Sequence, residues 1–282
     1  MNSPIAPDST VVDLVDHWLQ QLRVDGRLER TTINEYERVL RTLVVPELGH
    51  KRIDELTTER VNELLAELGQ QSLNRQRKAK VILGAMLDFA ISYDALADNP
   101  VRGSLSISRP TASHHVLSPG EVANVQAAVR AWLGKERPGP RSSGDMADII
   151  EVMLATGARI GEVLALRWRD IDLYARTVEI NGTIKTESGK GTYRKAISRP
   201  RTLELTESTT LLLGRRRRTE PANLLDAVFF TRNATWQQVN NVERRWRQIR
   251  RDGGLDWITP DLFRRVAPGN PAHERRLGRR DA

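Results

Sequence analysis

From Thr10 onward the apolar residues Val11, Leu14, Val15, Trp18, Leu19 and Leu22 return at intervals of three and four. That spacing lays one apolar stripe along an α-helix. Thr10 with Asp13 has the form of a capping box, in which each side chain takes an N–H that the helix start leaves orphaned. A second helix is expected from Thr32, capped with Glu35, carrying Ile33, Tyr36, Leu40 and Leu43 and stopped by Pro46. A third runs from about Thr58 through Val61, Leu64, Leu65 and Leu68. The fourth, from Leu73 to Tyr93, turns Ile82, Leu83, Met86, Leu87, Phe89 and Ala90 inward and ends before Asn99 and Pro100. Four amphipathic helices with short connections make a bundle over residues 10–102, and residues 1–9 are left as a disordered N-terminus.

Residues 103–117 are small, polar and without periodicity, which suits a linker. Ser118, Pro119 and Glu121 then stand at the N-cap, first and third positions of a helix bearing Val122, Val125, Val129 and Trp132. Residues 135–145 form a loop, and a helix resumes from Asp145 through Ile149, Ile150, Met153 and Leu154 until Gly157. After it the period changes from helical to alternating. Thr177–Ile180, a turn around Ser188–Gly191, Tyr193–Ile197 and Thr202–Leu205 predict a small antiparallel sheet, and helices return at 207–218 and 236–250. The expected architecture is therefore an α-helical N-terminal bundle followed, over residues 118–266, by a mixed α+β domain.

Composition narrows the chemistry. With no cysteine among 282 residues, disulfides, thiolate metal sites and cysteine nucleophiles are excluded. No run of eighteen apolar residues and no basic leader is present, so a cytoplasmic protein without a membrane span is expected. The net charge of +8 and pI of about 10.2 suggest an anionic partner, nucleic acid being the usual one. Residues 264–282 carry six arginines against Glu274 and Asp281, half of the net charge. The clusters Arg215–Arg218 and Arg244, Arg245, Arg247, Arg250 and Arg251 either face phosphates or form solvated helix faces.

The string ATGARIGEVLALRWRDIDL, residues 155–173, places Arg159 just after the terminator Gly157, at the start of an amphipathic helix with Ile160, Val163 and Leu164. It closely resembles the first arginine motif of the tyrosine recombinases, the phage integrase family. HWLQQL, TTINEYERVLRTLVVPELGH and ALADNPV resemble the family's core-binding, SAM-like DNA-binding domain. The resemblance implies a pair of domains that clamp double-stranded DNA at attachment-type sites, self-association of protomers on that DNA, and transesterification through a 3′-phosphotyrosyl link with no metal and no cofactor. It implies that Arg159 faces the scissile phosphate and that Glu162 supports it. A phosphoryl transition state needs fixed cations at its nonbridging oxygens, and guanidinium, always charged and with paired donors, suits that task. In the family a hairpin lysine is the general acid. Of Lys185, Lys190 and Lys195, only Lys195 has the family spacing, with Arg201 six residues on and Thr202, Leu203 and Leu205 after it.

WITPDLFRRVA, residues 257–267, resembles the second arginine box, with Arg264 at the arginine and Asp261 where the family has histidine. A carboxylate cannot supply imidazole's donor chemistry near neutral pH, so Asp261 is expected to be a helix cap at most. From Pro268 the sequence turns to Pro, Gly and Arg, with His273 in no recognisable box. The tyrosines are Tyr36, Tyr93, Tyr174 and Tyr193, all before Arg264, so the family's nucleophile has no counterpart. The expectation is a truncated or frameshifted member, with residues 267–282 an aberrant basic tail. A cleaving integrase, a non-catalytic DNA-binding remnant that regulates a full-length relative, and a functionless product all remain open.

Overall fold

Thr10 is extended and its Oγ1 accepts the N–H of Asp13, while Asp13 Oδ2 accepts that of Thr10 at 3.1 Å. The expected capping box thus opens α1 (Val11–Asp25), and Gly26 closes it. The computed structural model describes residues 5–108, 115–135, 145–187 and 189–266; most of the expected 135–145 loop, and the whole 267–282 tail with His273, lie outside the described residues. The chain divides into two units, Met1–Ala112 and Ser113–Ala282.

In the first unit α2 (Arg30–Val39) starts a turn before Thr32, with Glu29 at its N-cap. Thr32 does not cap it, because its own N–H and that of Ile33 bond to the Glu29 carbonyl. Glu35 is held instead by Arg38, at 2.8 and 2.9 Å, and Lys78, at 2.6 Å. Pro46 does not stop the helix either. Leu40–Val44 widen into a π-helical turn in which the Val45 N–H reaches back to the Leu40 carbonyl, and α3 (Val45–Leu48) follows with Pro46 in its first turn. A first-turn residue needs no N–H acceptor, so proline is tolerated there. A capped α4 (Thr58–Gln71) and α5 (Leu73–Ile91) complete the bundle. Its core unites Leu14, Trp18, Ile33, Leu40, Leu64, Leu83 and Met86. Residues 5–9 are ordered, against the expectation of disorder: Ile5 is buried and the carbonyls of Pro7 and Ser9 accept the N–H groups of Asp54 and Ile53. At the other end Lys80 donates to the carbonyls of Ser104 and Leu105, and the Leu105 N–H reaches Asn62, so the start of the expected linker is fastened to the bundle.

The second unit opens with α6 (Pro119–Gly134), where Ser118 and Glu121 form the expected capping box. The buried helix α7 (Asp145–Thr156) is its centre, packed against α6, the turn α8 (Ile160–Val163), α9 (Glu207–Thr219) and α11 (Pro260–Val266). The sheet is antiparallel in the order β1 (Ile171–Asp172), β2 (Thr177–Glu187), β3 (Gly191–Glu204). β3 is one strand rather than two, since a register shift opposite Ile180 and Gly182 absorbs the polar stretch around Pro200. Asp170 ties the sheet to the preceding turn through Arg167, Asn181 and Arg194. In α10 (Val239–Asp252) Trp246 packs edge-on against Phe263 of α11, centroids 5.1 Å apart.

Arg216 belongs to neither reading of its cluster. It is 4% exposed, bonded to Asp145 at 2.6 Å, Asp148 at 3.1 Å and the Val228 carbonyl, with its guanidinium over Phe229. Burial of a guanidinium is sustained only by such complete pairing, so this residue joins α9 to the start of α7.

Candidate functional site

α7 ends because Gly157 takes φ +63°, a conformation that favours glycine, with its N–H bonded to the Met153 carbonyl at 2.9 Å. The chain then swings into extended Arg159, the N-cap of α8. The expected amphipathic helix is only one turn, because Leu164–Leu166 leave the helical path and the Leu166 carbonyl pairs with the Val228 N–H. Glu162 folds back in that turn: its Oε2 accepts the Arg159 N–H at 2.9 Å, and its Oε1 lies 3.4 Å from Arg159 Nη1.

Arg201, which the sequence offered only as a spacing mark for Lys195, reaches the same carboxylate. Its Nη2 donates to Glu162 Oε2 at 2.6 Å and its Nη1 to Oε1 at 3.4 Å. Burial pushes the Glu162 carboxyl up, but the Arg201 bond, the Arg159 N–H and both cations outweigh it and hold the group below its ordinary 4.5. The Glu162 side chain is 5% exposed, that of Arg201 35%, and that of Arg159 63%. The first arginine therefore projects outward from a buried anionic anchor.

The hairpin approaches the same turn. A Cβ on Gly161 would stand 2.8 Å from Thr183 Oγ1, so a side chain is absent where β2 meets α8. Thr183 is opposite Lys195 in the register, and directly opposed antiparallel residues share a face. Lys195, exposed, is thus placed on the face that meets Arg159's turn. Lys185 is two residues along β2 on that face, opposite Tyr193, whereas Lys190 sits at the hairpin tip with Nζ 4.0 Å from the Tyr193 ring.

Arg264 arrives from α11. Its Nε donates to the Gly157 carbonyl at 3.1 Å, two residues before Arg159, and its side chain is one-third exposed. The fold thereby joins the two arginine boxes at the end of α7. Asp261 is not a cap: it is the second residue of α11, exposed, with Oδ1 3.7 Å from Arg264 Nη1. Two guanidinium groups around one helix end, with a lysine-bearing strand against the same turn, can balance the charge of a phosphate. Among the described residues no group of three or more His, Asp or Glu could hold a metal ion, and no helix is long and apolar enough to cross a membrane.

Residues 139–268 match the phage integrase family and residues 10–69 match the phage integrase N-terminal SAM-like domain. The chain belongs to the tyrosine recombinase family. Among curated family relatives, the tyrosine recombinase XerC of Proteus mirabilis is 27% identical over 201 residues, which are 70% of this chain and 63% of that protein. The chain spans about three fifths of the length of such relatives, the shares in XerC of Serratia marcescens and Xanthomonas axonopodis both being 57%. The fold matches the Tn1549 transposon integrase, residues 82–397, in complex with circular intermediate DNA, with a TM-score of 0.74 at 18% identity over 96% of this chain and 87% of that one. It also matches a lambda integrase tetramer bound to a Holliday junction, with a TM-score of 0.67 at 14% identity over 92% and 72% of the two chains. These likenesses establish the recombinase fold: a helical first unit and a mixed second unit with a small antiparallel sheet.

Proposed function

We propose that this recombinase-family chain binds double-stranded DNA of the attachment-site kind and seats one backbone phosphate at the end of α7. Arg159 and Arg264 hold the nonbridging oxygens, Lys195 stands toward the bridging oxygen as the proton donor, and Glu162 anchors Arg159. The observation that carries this reading is the bond from Arg264 Nε to the Gly157 carbonyl, which brings two arginines 105 positions apart in sequence to one helix end. The DNA complexes of the Tn1549 and lambda integrases support DNA as the partner, and the tetramer of the latter supports self-association on it.

In the family's reaction a tyrosine oxygen attacks phosphorus, the 5′ oxygen leaves with a proton, and a 3′-phosphotyrosyl link forms. None of the four tyrosines follows Arg264, and the second box offers Asp261 in place of histidine. We therefore assign these 282 residues binding without cleavage. Exposed Asp261 repels the phosphate that Arg264 attracts, so the second box is the weaker half of the site.

Fluorescence anisotropy of a labelled duplex against salt tests the binding. Affinity is expected to fall at least about tenfold between roughly 50 and 200 mM salt, as release of counterions from neutralised phosphates requires. Arg159→Ala and Arg264→Ala are each expected to weaken it and flatten that dependence. Binding that ignores salt, or that both variants leave unchanged, contradicts the phosphate seat. Incubation with duplex followed by denaturing electrophoresis is expected to show no covalent adduct.

A further inference from the structure

We propose that Arg201 is a positioning residue, the dedicated counter-ion of Glu162, whose presence leaves the Arg159 guanidinium available to an anionic ligand. The inference rests on the reading that Arg159 faces phosphate and adds to it a division of labour between two arginines on one carboxylate.

Glu162 is a buried carboxylate with two cations in reach, and the distances divide them. Arg201 makes the short charged bond, 2.6 Å to Oε2, whereas the Arg159 guanidinium stands 3.4 Å from Oε1 and contributes its backbone N–H, at 2.9 Å, to the short contacts. Charge-assisted bonds of the first kind are the strong ones. Arg159's side chain is correspondingly the most exposed of the three. One carboxylate carries one negative charge. With Arg201 neutralising it, the positive charge of Arg159 is uncompensated and faces solvent.

Without Arg201 the carboxylate would stay buried on the α8 turn, where Arg159 is the other cation paired with it among the described residues. The groups that reach the turn from β2 and α10, Thr183, Ile184 and Val239, carry no charge, and Lys195 lies on the Thr183 face of β3. Arg159 would then swing from its outward pose into a closed pair with Glu162, losing its phosphate to an internal competitor. Because Arg201 and Lys195 share β3, the same bond fastens the lysine-bearing strand to the arginine turn. A structural brace alone would predict lost stability on removing either partner. The counter-ion role makes a different prediction: removal of both should restore part of what removal of one destroyed.

The test compares the parent chain with Arg201→Met, Arg201→Lys and the double variant Arg201→Met/Glu162→Gln. Carboxyl-carbon NMR titration of Glu162 should move to higher pH in Arg201→Met and stay near the parent position in Arg201→Lys. The Arg159 Nε–H, labelled with nitrogen-15, should become more ordered in Arg201→Met than in the parent and lose that added order in the double variant. Duplex affinity near pH 7.5 should fall about tenfold in Arg201→Met, the loss expected for one charged phosphate contact, and be regained only in part in the double variant, whose amide can still accept the Arg159 N–H but no longer anchors the guanidinium by charge. It should also recover in Arg201→Met as acid protonates Glu162. An unmoved Glu162 titration with an unchanged Arg159 overturns the inference whatever the DNA result, as does a double variant whose Arg159 stays captured. If the NMR changes occur while no form binds duplex, the counter-ion role stands and the DNA reading fails.

Discussion

The two arginine boxes of the second unit show how differently one motif type can be supported. Arg159 rises from a turn held by a series of hydrogen bonds: Thr156 bonds Val152 and Ala158, Gly157 closes α7, and Glu162 takes both the cap N–H and Arg201. Arg264 lies on a seven-residue helix, bonded to the Gly157 carbonyl and faced by an exposed aspartate. Behind it the second box also has an apolar support, Phe263 packed edge-on against Trp246. The first arginine stands over a buried carboxylate, whereas the second is carried by a helix whose neighbouring Phe263 is buried in the core. The consequence is that mutation should separate them.

The largest effect is expected where a buried ring is removed from the core. Phe263 is 1% exposed, and Phe263→Ala should cost about 3–5 kcal/mol, through lost transfer energy and the cavity left against Trp246. Urea unfolding followed by tryptophan emission would read it. The second unit should unfold earlier while the bundle keeps its midpoint; coincident shifts of both would mean that the units are not independent. Glu162→Ala should cost less, about 2–3 kcal/mol, since Arg201 loses its partner but can still turn to water. This variant carries a pH signature. Glu162 is held below its ordinary 4.5, so its contribution is complete above that value and disappears as acid carries the pH down through the depressed one. The stability gap between parent and Glu162→Ala should therefore narrow below about pH 4.5; a gap that is flat with pH would show that the carboxylate charge is not what stabilises the turn.

The same contrast explains what was legible in the sequence. Apolar periodicity and capping residues disclosed the bundle helices, α6 and α7, because those features act within one or two turns. Thr32 and Glu35 had the sequence form of a cap but not its role, because Lys78, forty-three positions away, competes for the carboxylate. Pro46 read as a stop since a π-helical turn leaves no mark in an apolar pattern. In the site, Arg159 and Arg264 stood out through the resemblance of their strings, and Glu162 with the first. The part Arg201 plays was invisible, for a contact across 39 residues depends on the hairpin register, which a bulge opposite Ile180 and Gly182 resets. Arg216 was hidden for a similar reason: in a run of four arginines, only tertiary packing says which one turns inward.

Two smaller predictions sharpen the contrast. Gly161→Ala should cost about 1–3 kcal/mol, because its methyl would meet Thr183 Oγ1 at 2.8 Å and push the hairpin from the first box. Thr183→Ala added to it should recover most of that loss in thermal melting, and no recovery would place the strain elsewhere.

Asp261→Asn addresses the second box with the smallest change. The carboxylate is exposed, so stability should stay within about 0.5 kcal/mol of the parent. Its charge nevertheless stands 3.7 Å from Arg264 Nη1, on the group proposed to attract phosphate. Two unit charges at that range in water interact by about 1 kcal/mol before salt screens them, so removing the anion should tighten duplex binding by roughly twofold to fivefold. The gain should be greatest at low salt and absent when Arg264→Ala is also present. A gain that survives loss of Arg264 would place Asp261 against the DNA itself, and no gain at any salt would mean that the second box does not contact phosphate. The first box would then act alone.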